Sequence, residues 1–404
     1  MDEGASATAG VWLPEELVIK ILSRLPAKSL CRFKCVFRSW RRLIADPAVC
    51  PQLAGTLSGF FFPIGSGTHL QWRFVGLSPP PGAESGGSSL VDPAPSFLPR
   101  SCYDITPLDS CNGLLLLLCS DDPCDNLPPS YVVCNPSTGE WFALLQPSHV
   151  PGVLGGGYCK DTRFAALGFD PSVSSHFHVF QLVQNEDQCY DYVEMVEIYS
   201  SETGTWASMG SRWSDAEGSW DDPRNIFFTC QMTFLNGFLH LTINGNAVAS
   251  VDTKGQSWRV THVRDWQDDS DGFVGHSQGR LIYLDHGRPD DDMAIYVLED
   301  HNSEEWTFKQ SISKLNLFGP RESRYSVAGF HPDSDLVYFY DWSQERILSY
   351  DMNLRDMDVI CSLGEVSSVL RPFLPYTPLY SEALATTKAS QSQLPASYFS
   401  SLNF

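Results

Sequence analysis

Gly275-His276-Ser277-Gln278-Gly279 has the G-x-S-x-G spacing that can expose a nucleophilic serine on a sharp turn. That chemistry needs a strand before the serine and a helix after it. Here the serine is followed by Arg280-Leu281-Ile282-Tyr283-Leu284-Asp285, which alternates like a strand, so the expectation is a hairpin turn. Acid runs at Asp290–Asp292 and at Asp268, Asp269 and Asp271 offer the oxygen ligands that Ca²⁺ takes. They lack the alternation and the glycine of an EF-hand loop, and they read as solvated acids. His176 and His178 share a strand face with no third ligand, and read as satisfied strand histidines. Gly155–Gly157 has no Lys-Ser/Thr after it, so it is not a phosphate loop. Cys31 and Cys35, one helical turn apart, read as core. The twelve cysteines contain no Cys-x-x-Cys, so the usual zinc and dithiol spacings are missing. No catalytic residue, metal or cofactor is expected. What remains is the chemistry of binding surfaces.

The elements that would carry such surfaces differ in charge. The 404 residues have a formal charge of −21, which argues against broad binding of nucleic acid or anionic membrane. Residues 11–50 nevertheless hold eight Lys or Arg against three acids, so a small basic unit precedes a large acidic one. The first ten residues are small and acidic, with no apolar core of a secretory leader, and are expected to be disordered. No apolar run approaches the length of a membrane span. Low cysteine density and no Asn-x-Ser/Thr acceptor point to a soluble protein of a reducing compartment, cytoplasmic or nuclear.

The basic unit is helical. Pro14 suits the first position of a helix and Glu15 and Glu16 suit its first turn. Leu17, Ile21 and Leu25 recur every four residues, with Val18 and Leu22 beside them, until Pro26 stops the helix. Ser29 can cap a second helix carrying Leu30, Phe33, Val36 and Phe37. A third carries Trp40, Leu43 and Ile44 and ends before Pro47. Some 40 residues bury little by themselves, so an apolar face must meet the next domain or a partner. A helix-turn-helix reading DNA is the alternative, but Lys and Arg are spread round the helices rather than gathered on one. The stretch LPEELVIKILSRLPAKSLCRFKCVFRSWRRLIADP resembles an F-box of the kind common in plants, departing only at Phe37, where a smaller residue is usual. The resemblance implies docking on a Skp-type adaptor and, through it, a cullin scaffold. On that reading Leu13, Pro14, Leu17, Ile21, Leu22, Leu25, Pro26, Leu30, Val36 and Trp40 form the adaptor-binding set.

After Pro51 the helical period gives way to short apolar runs broken by turns. A degenerate unit recurs: strand, polar turn, then Trp, as CNPSTGEW (134–141), YSSETGTW (199–206), VDTKGQSW (251–258) and LEDHNSEEW (298–306). A fifth, YDMNLRDM (350–357), lacks the Trp. Each unit also has an upstream hairpin, at Cys111–Gly113, Asp170–Ser175, Asn236-Gly237, Gln278-Gly279 or Pro332–Asp335. Four strands, a to d, at a period of roughly 50 predict a kelch-like β-propeller. Strands at Gly59–Ile64 and Leu70–Leu77 would join one at Phe373–Leu384 as a sixth blade, its C-terminal strand held to an edge by Pro372, Pro375 and Pro378. An open pair of β-sandwiches is the alternative. SCNGLLLL and VVCNPSTGEW also resemble the F-box-associated domain of plant proteins.

The fold class expected is therefore mainly β with a small α N-terminal domain: a three-helix F-box at 11–50, then a six-bladed propeller at 57–384. Residues 78–96 should be a mobile loop and 389–404 a flexible tail. The a–b and c–d turns are short, whereas the long segments all fall on the opposite face: 120–130, 146–163, 184–192, 210–225, 264–272, 285–292 and 313–324. Those loops carry Trp213, Trp220 and Trp266 with an acidic rim that includes Asp268 and Asp290, which would suit a target protein with a basic segment. The implied function is substrate recognition for an SCF-type ubiquitin ligase without catalysis in this chain. The rivals are a scaffold that binds the adaptor without a cullin, and a propeller enzyme such as a glycosidase, which needs two convergent carboxylates.

Overall fold

The computed structural model describes residues 13–22, 36–45, 57–65, 71–77, 104–120, 128–149, 164–184, 193–213, 231–243, 246–264, 272–287, 292–319, 324–364 and 373–380, with Phe33, Val49, residues 97–98 and 366–367, and Leu384. The stretches 1–10, 78–96 and 389–404 lie outside these.

Pro14 opens the first helix: its carbonyl accepts the amides of Leu17 (3.0 Å) and Val18 (3.1 Å). Helix α1 runs Glu15–Leu22 and α2 runs Arg38–Ala45. The second helix expected to carry Leu30, Phe33, Val36 and Phe37 is only partly found. Phe33 is helical, but Val36 and Phe37 lie in the turn before α2. The Val36 amide closes that turn on the Phe33 carbonyl (3.1 Å), and the Phe37 carbonyl accepts the Arg41 amide (3.0 Å) as α2 starts.

Among the described residues 23 strands form six sheets. The first blade joins β1 (Gly59–Ile64) and β2 (Gln71–Gly76) to β23 (Leu374–Tyr376), in the order β2-β1-β23. Blade 2 is β3 (Asp104–Cys111), β4 (Leu114–Ser120), β5 (Ser130–Asn135) and β6 (Glu140–Ala143). Blade 3 is β7 (Ala165–Gly168), β8 (His178–Gln184), β9 (Val193–Ser200) and β10 (Thr205–Gly210). Blade 4 is β11 (Met232–Leu235), β12 (Phe238–Ile243), β13 (Ala247–Asp252) and β14 (Trp258–His262). Blade 5 is β15 (Gly272–Ser277), β16 (Arg280–Asp285), β17 (Met293–Leu298) and β18 (Thr307–Ile312). Blade 6 is β19 (Tyr325–Phe330), β20 (Leu336–Asp341), β21 (Arg346–Asp351) and β22 (Asp356–Ser362). Strands β3, β7, β11, β15, β19 and β23 neighbour one another in turn round the axis, so the ring is closed and the sandwich alternative falls.

The recurring sequence unit has a physical basis. In three a–b hairpins both central residues have positive φ: Asn112-Gly113 (45°, 88°), Asn236-Gly237 (52°, 81°) and Gln278-Gly279 (51°, 72°). These turns match the twist of antiparallel strands, and Asn-Gly adopts them at little cost. In the c–d turns a side-chain oxygen caps the amides that follow. Asn135 accepts from Ser137 (3.0 Å), Asp252 from Gln256 (2.7 Å), Asp300 from Asn302 (2.9 Å) and Asp351 from Asn353 (2.8 Å). Two of the d-strand tryptophans fasten a blade to the one before it. Trp206 Nε1 donates to the Leu145 carbonyl (2.7 Å) and Trp306 Nε1 to Thr261 Oγ1 (3.1 Å).

Three expectations need correction. The closing strand is three residues, Leu374–Tyr376, not the whole of Phe373–Leu384; Pro375 within it and Pro378 just past it have no amide to give a ladder. It does lie at the sheet edge. His176 precedes the strand that starts at His178 and sits in the a–b connection. The 313–324 segment is no open loop throughout: it holds α3 (Lys314–Phe318), with Leu317 and Phe318 buried and Phe318 stacked on Tyr325 at 4.6 Å.

Candidate functional site

Helix α1 is apolar on two sides. Val18 and Leu22 turn inward and are buried, whereas Leu13, Leu17 and Ile21 stand in a row one turn apart, exposed by 48%, 48% and 49%. Val36 (52%) and Phe37 (61%), in the turn before α2, are exposed too. Five large apolar side chains exposed on one small basic unit exceed what scattered surface residues explain. Val18 and Leu22 pack with Leu43, Ile44, Val49 and the propeller residue Tyr380, and Phe33 and Trp40 lie against that cluster.

The adaptor-binding set therefore divides. Leu13, Pro14, Leu17, Ile21 and Val36 are exposed. Leu22 is 1% exposed and belongs to the internal core, a correction to its place in a docking face. Trp40 is half-buried, with its ring 5.1 Å from Phe33 and 5.8 Å from Phe37. Leu25, Pro26 and Leu30 lie outside the described residues.

On the propeller, Trp213 is not a loop anchor. It is 6% exposed, its indole donates to the Ser250 carbonyl (2.9 Å), and it packs edge-on against Trp258 at 4.9 Å. A buried indole needs such an acceptor, and blade 4 supplies it. Trp220, Trp266, Asp268 and Asp290 lie outside the described residues. What the structure does show is where two of their loops are rooted. Arg264, before the first, reaches Asp285, before the second, at 2.7 Å, and the Asp285 side chain is 1% exposed. Beside them His286 Nδ1 meets the Tyr325 hydroxyl at 3.0 Å. Burial, and Lys314 nearby, push His286 down to about 4, so that it stays neutral at pH 7.

The axial channel holds about 890 Å³ of space, its open mouth included. Several of its polar groups are engaged with the ring itself. Asp109 accepts the Leu167 amide (2.8 Å), Asn112 donates to the Phe169 carbonyl (2.7 Å), and Thr233 meets His276 Nδ1 (2.8 Å). Ser277 of the G-x-S-x-G stretch is 1% exposed and donates to the Ser334 carbonyl (3.0 Å), in a hairpin between two strands. It lacks the helix and the exposure of a nucleophile. Among the described residues no three His, Cys, Asp or Glu gather as metal ligands, and no helix is long and apolar enough to cross a membrane.

A small helical unit with an exposed apolar row, set on a six-bladed ring, makes a chain of two parts. The comparisons agree with both parts. A model of the F-box domain matches residues 12–51, and one described as "F-box protein At3g26010-like, beta-propeller" matches residues 88–369. The chain belongs to this family of F-box proteins with a β-propeller. F-box protein At5g07610 of Arabidopsis thaliana is 26% identical over 320 residues, covering 74% of this chain and 70% of the relative. F-box protein At1g30790 of the same plant is 23% identical over 377 residues, covering 83% and 88%. Among solved structures, a nidogen/laminin complex covers 79% of this chain and 96% of that one at 9% identity, with a TM-score of 0.36, too low to carry an argument.

Proposed function

We propose that this chain is the substrate-recognition subunit of an SCF-type ubiquitin ligase and is itself non-catalytic. The outward row Leu13, Leu17 and Ile21, with Val36, docks on a Skp-type adaptor, and a cullin scaffold follows through that adaptor. The kelch-like propeller, so described for its repeat period, holds a target protein by its long-loop face, with Trp220, Trp266, Asp268 and Asp290 as contacts for a basic segment. The mechanism is proximity: a tethered target is presented to the ligase at high effective concentration. The compartment is the cytoplasm or nucleus, in keeping with the unbridged thiols of Cys111, Cys134 and Cys361.

The observation that carries this reading is the two-sided helix α1, whose inner residues are used by the fold and whose outer ones are not. Interface energy concentrates in a few apolar anchors of this kind. The doubly substituted Leu17→Ala/Ile21→Ala chain should lose co-precipitation of a Skp-type adaptor while its thermal unfolding stays within about 1 kcal/mol of the parent, since both side chains are half exposed. Unchanged adaptor capture by the folded variant overturns the reading.

A further inference from the structure

The segment that closes the ring also touches the F-box. Strand β23 runs antiparallel to β1, with Tyr376 opposite Gly59. Ser58 donates its amide to the Tyr376 carbonyl (2.9 Å), so the chain enters β1 and leaves β23 at the same end of the blade. Beyond Tyr376 the segment lies along the a–b and c–d turns of blade 2. A Cβ added at Gly113 would meet Leu379 at 2.3 Å, and Asn135 Nδ2 donates to the Leu379 carbonyl (3.0 Å). Ser137 Oγ meets the Tyr376 hydroxyl at 2.8 Å. One residue after Leu379, Tyr380 is 3% exposed and completes the cluster of Val18, Leu22, Leu43, Ile44 and Val49.

We infer that residues 376–380 form a rigid joint that couples ring closure to the seating of the F-box, with Tyr380 as its positioning residue. Two consequences follow from the strand directions. The F-box sits at the short-turn end of the ring. The b–c and d–a connections leave the strands at the other end, so a target held there points away from the adaptor. A chain whose ring has not closed lacks the seat, and its F-box then hangs on the linker alone.

Hydrogen exchange on the full-length chain tests the joint and needs neither adaptor nor target. In Tyr380→Ala the amides of 15–22 and 38–45 should exchange at least tenfold faster, while β12 and β16, across the ring, keep parent rates. Parent rates in both helices overturn the inference. Should Tyr380→Ala also loosen β12 and β16, the decision falls to Leu22→Ala, which empties the same cluster from the F-box side. Faster exchange at 377–380 with unchanged β12 and β16 supports the joint, and unchanged exchange at 377–380 overturns it.

Discussion

Blade 5 and the first blade complete the same ring by different means. Blade 5 is four consecutive strands, paired side by side with one register shift between Ile295 and Tyr296, and an aliphatic interior of Ile282, Leu284, Ile295 and Val297. The first blade draws β23 from the far end of the chain and pairs only three of its residues with β1, one of them Pro375, which has no amide to donate. Aromatic side chains take over. Phe61 lies 5.0 Å from Phe74 and 5.3 Å from Tyr376, Phe60 lies 5.2 Å from Tyr338, and Tyr340 lies 5.1 Å from Phe373. Such pairs contribute about 0.5–1.5 kcal/mol each beyond their buried area. The seam of this ring is held by side-chain burial more than by backbone hydrogen bonds.

Truncation after Leu370 should have the largest effect on this seam. It removes Phe373, Leu374, Tyr376, Leu379, Tyr380 and Leu384, all buried, and exposes β1 along its inner edge. The truncated chain should leave the soluble fraction, as unpaired apolar edges do. A truncated protein with the parent's solubility and melting temperature would show that the ring does not depend on the seam. A milder break is Phe61→Ala, which empties a buried seam position and should cost about 3–5 kcal/mol, read from the denaturant midpoint. A cost below about 1 kcal/mol would show that the aromatic seam carries little of the ring's stability.

Acid should act on the ordinary blades. His240 in β12 is 1% exposed, its Nδ1 meets Ser250 Oγ at 2.7 Å, and burial, followed by the neighbouring His301, pushes its pKa down to about 3. Unfolded, a histidine titrates near 6.5. The unfolded state therefore takes up the extra proton as the pH falls from about 6.5 towards 3, and the stability that the neutral ring contributes is present above 6.5 and lost on that descent. The slope is at most about 1.4 kcal/mol per pH unit for this one residue. In His240→Gln the acid limb of the stability curve should be shallower by about that amount, and an unchanged limb would show that other groups govern acid unfolding.

Much of the ring was legible because its signals are local. Asn236-Gly237 and Gln278-Gly279 mark hairpins by backbone conformation alone, and Asn135, Asp252 and Asp351 mark c–d turns through bonds to amides a few residues on. Where local pattern misled, a distant partner decided. Trp213 has the look of a loop anchor until Ser250, from another blade, accepts its N–H. Leu22 belongs to the same apolar helix as Leu17 and Ile21, and no period tells which stripe faces inward when Tyr380, far along the chain, supplies the contact. The closing strand falls short of its apolar pattern, with Pro375 inside it and Pro378 just past it unable to donate to a ladder. For the candidate target face, the signal lies in loop composition, which names Trp266 and Asp290 but not their arrangement.

The smallest effect separates two a–b turns with the same backbone. Gly113 and Gly237 have φ of 88° and 81°, so an alanine at either place bears the strain of a left-handed conformation, about 1–2 kcal/mol. Part of that is offset, because alanine also narrows the unfolded ensemble by about 0.4–1 kcal/mol. At Gly237 nothing lies within 4 Å of the added methyl, so Gly237→Ala should cost about 1 kcal/mol or less and leave the rest of the ring alone. At Gly113 the methyl would run into Leu379 Cβ at 2.3 Å, its amide nitrogen at 2.6 Å and the Thr377 carbonyl at 2.7 Å, all in the seam and two of them backbone. That segment must move, which adds about 1–3 kcal/mol by overpacking. The pair should therefore differ in denaturant midpoint, with Gly113→Ala the weaker, and only Gly113→Ala should speed hydrogen exchange at 374–380. If the two variants unfold together, the seam has the slack to yield, and the tight fit of Leu379 over the blade 2 turn is not what holds the ring shut.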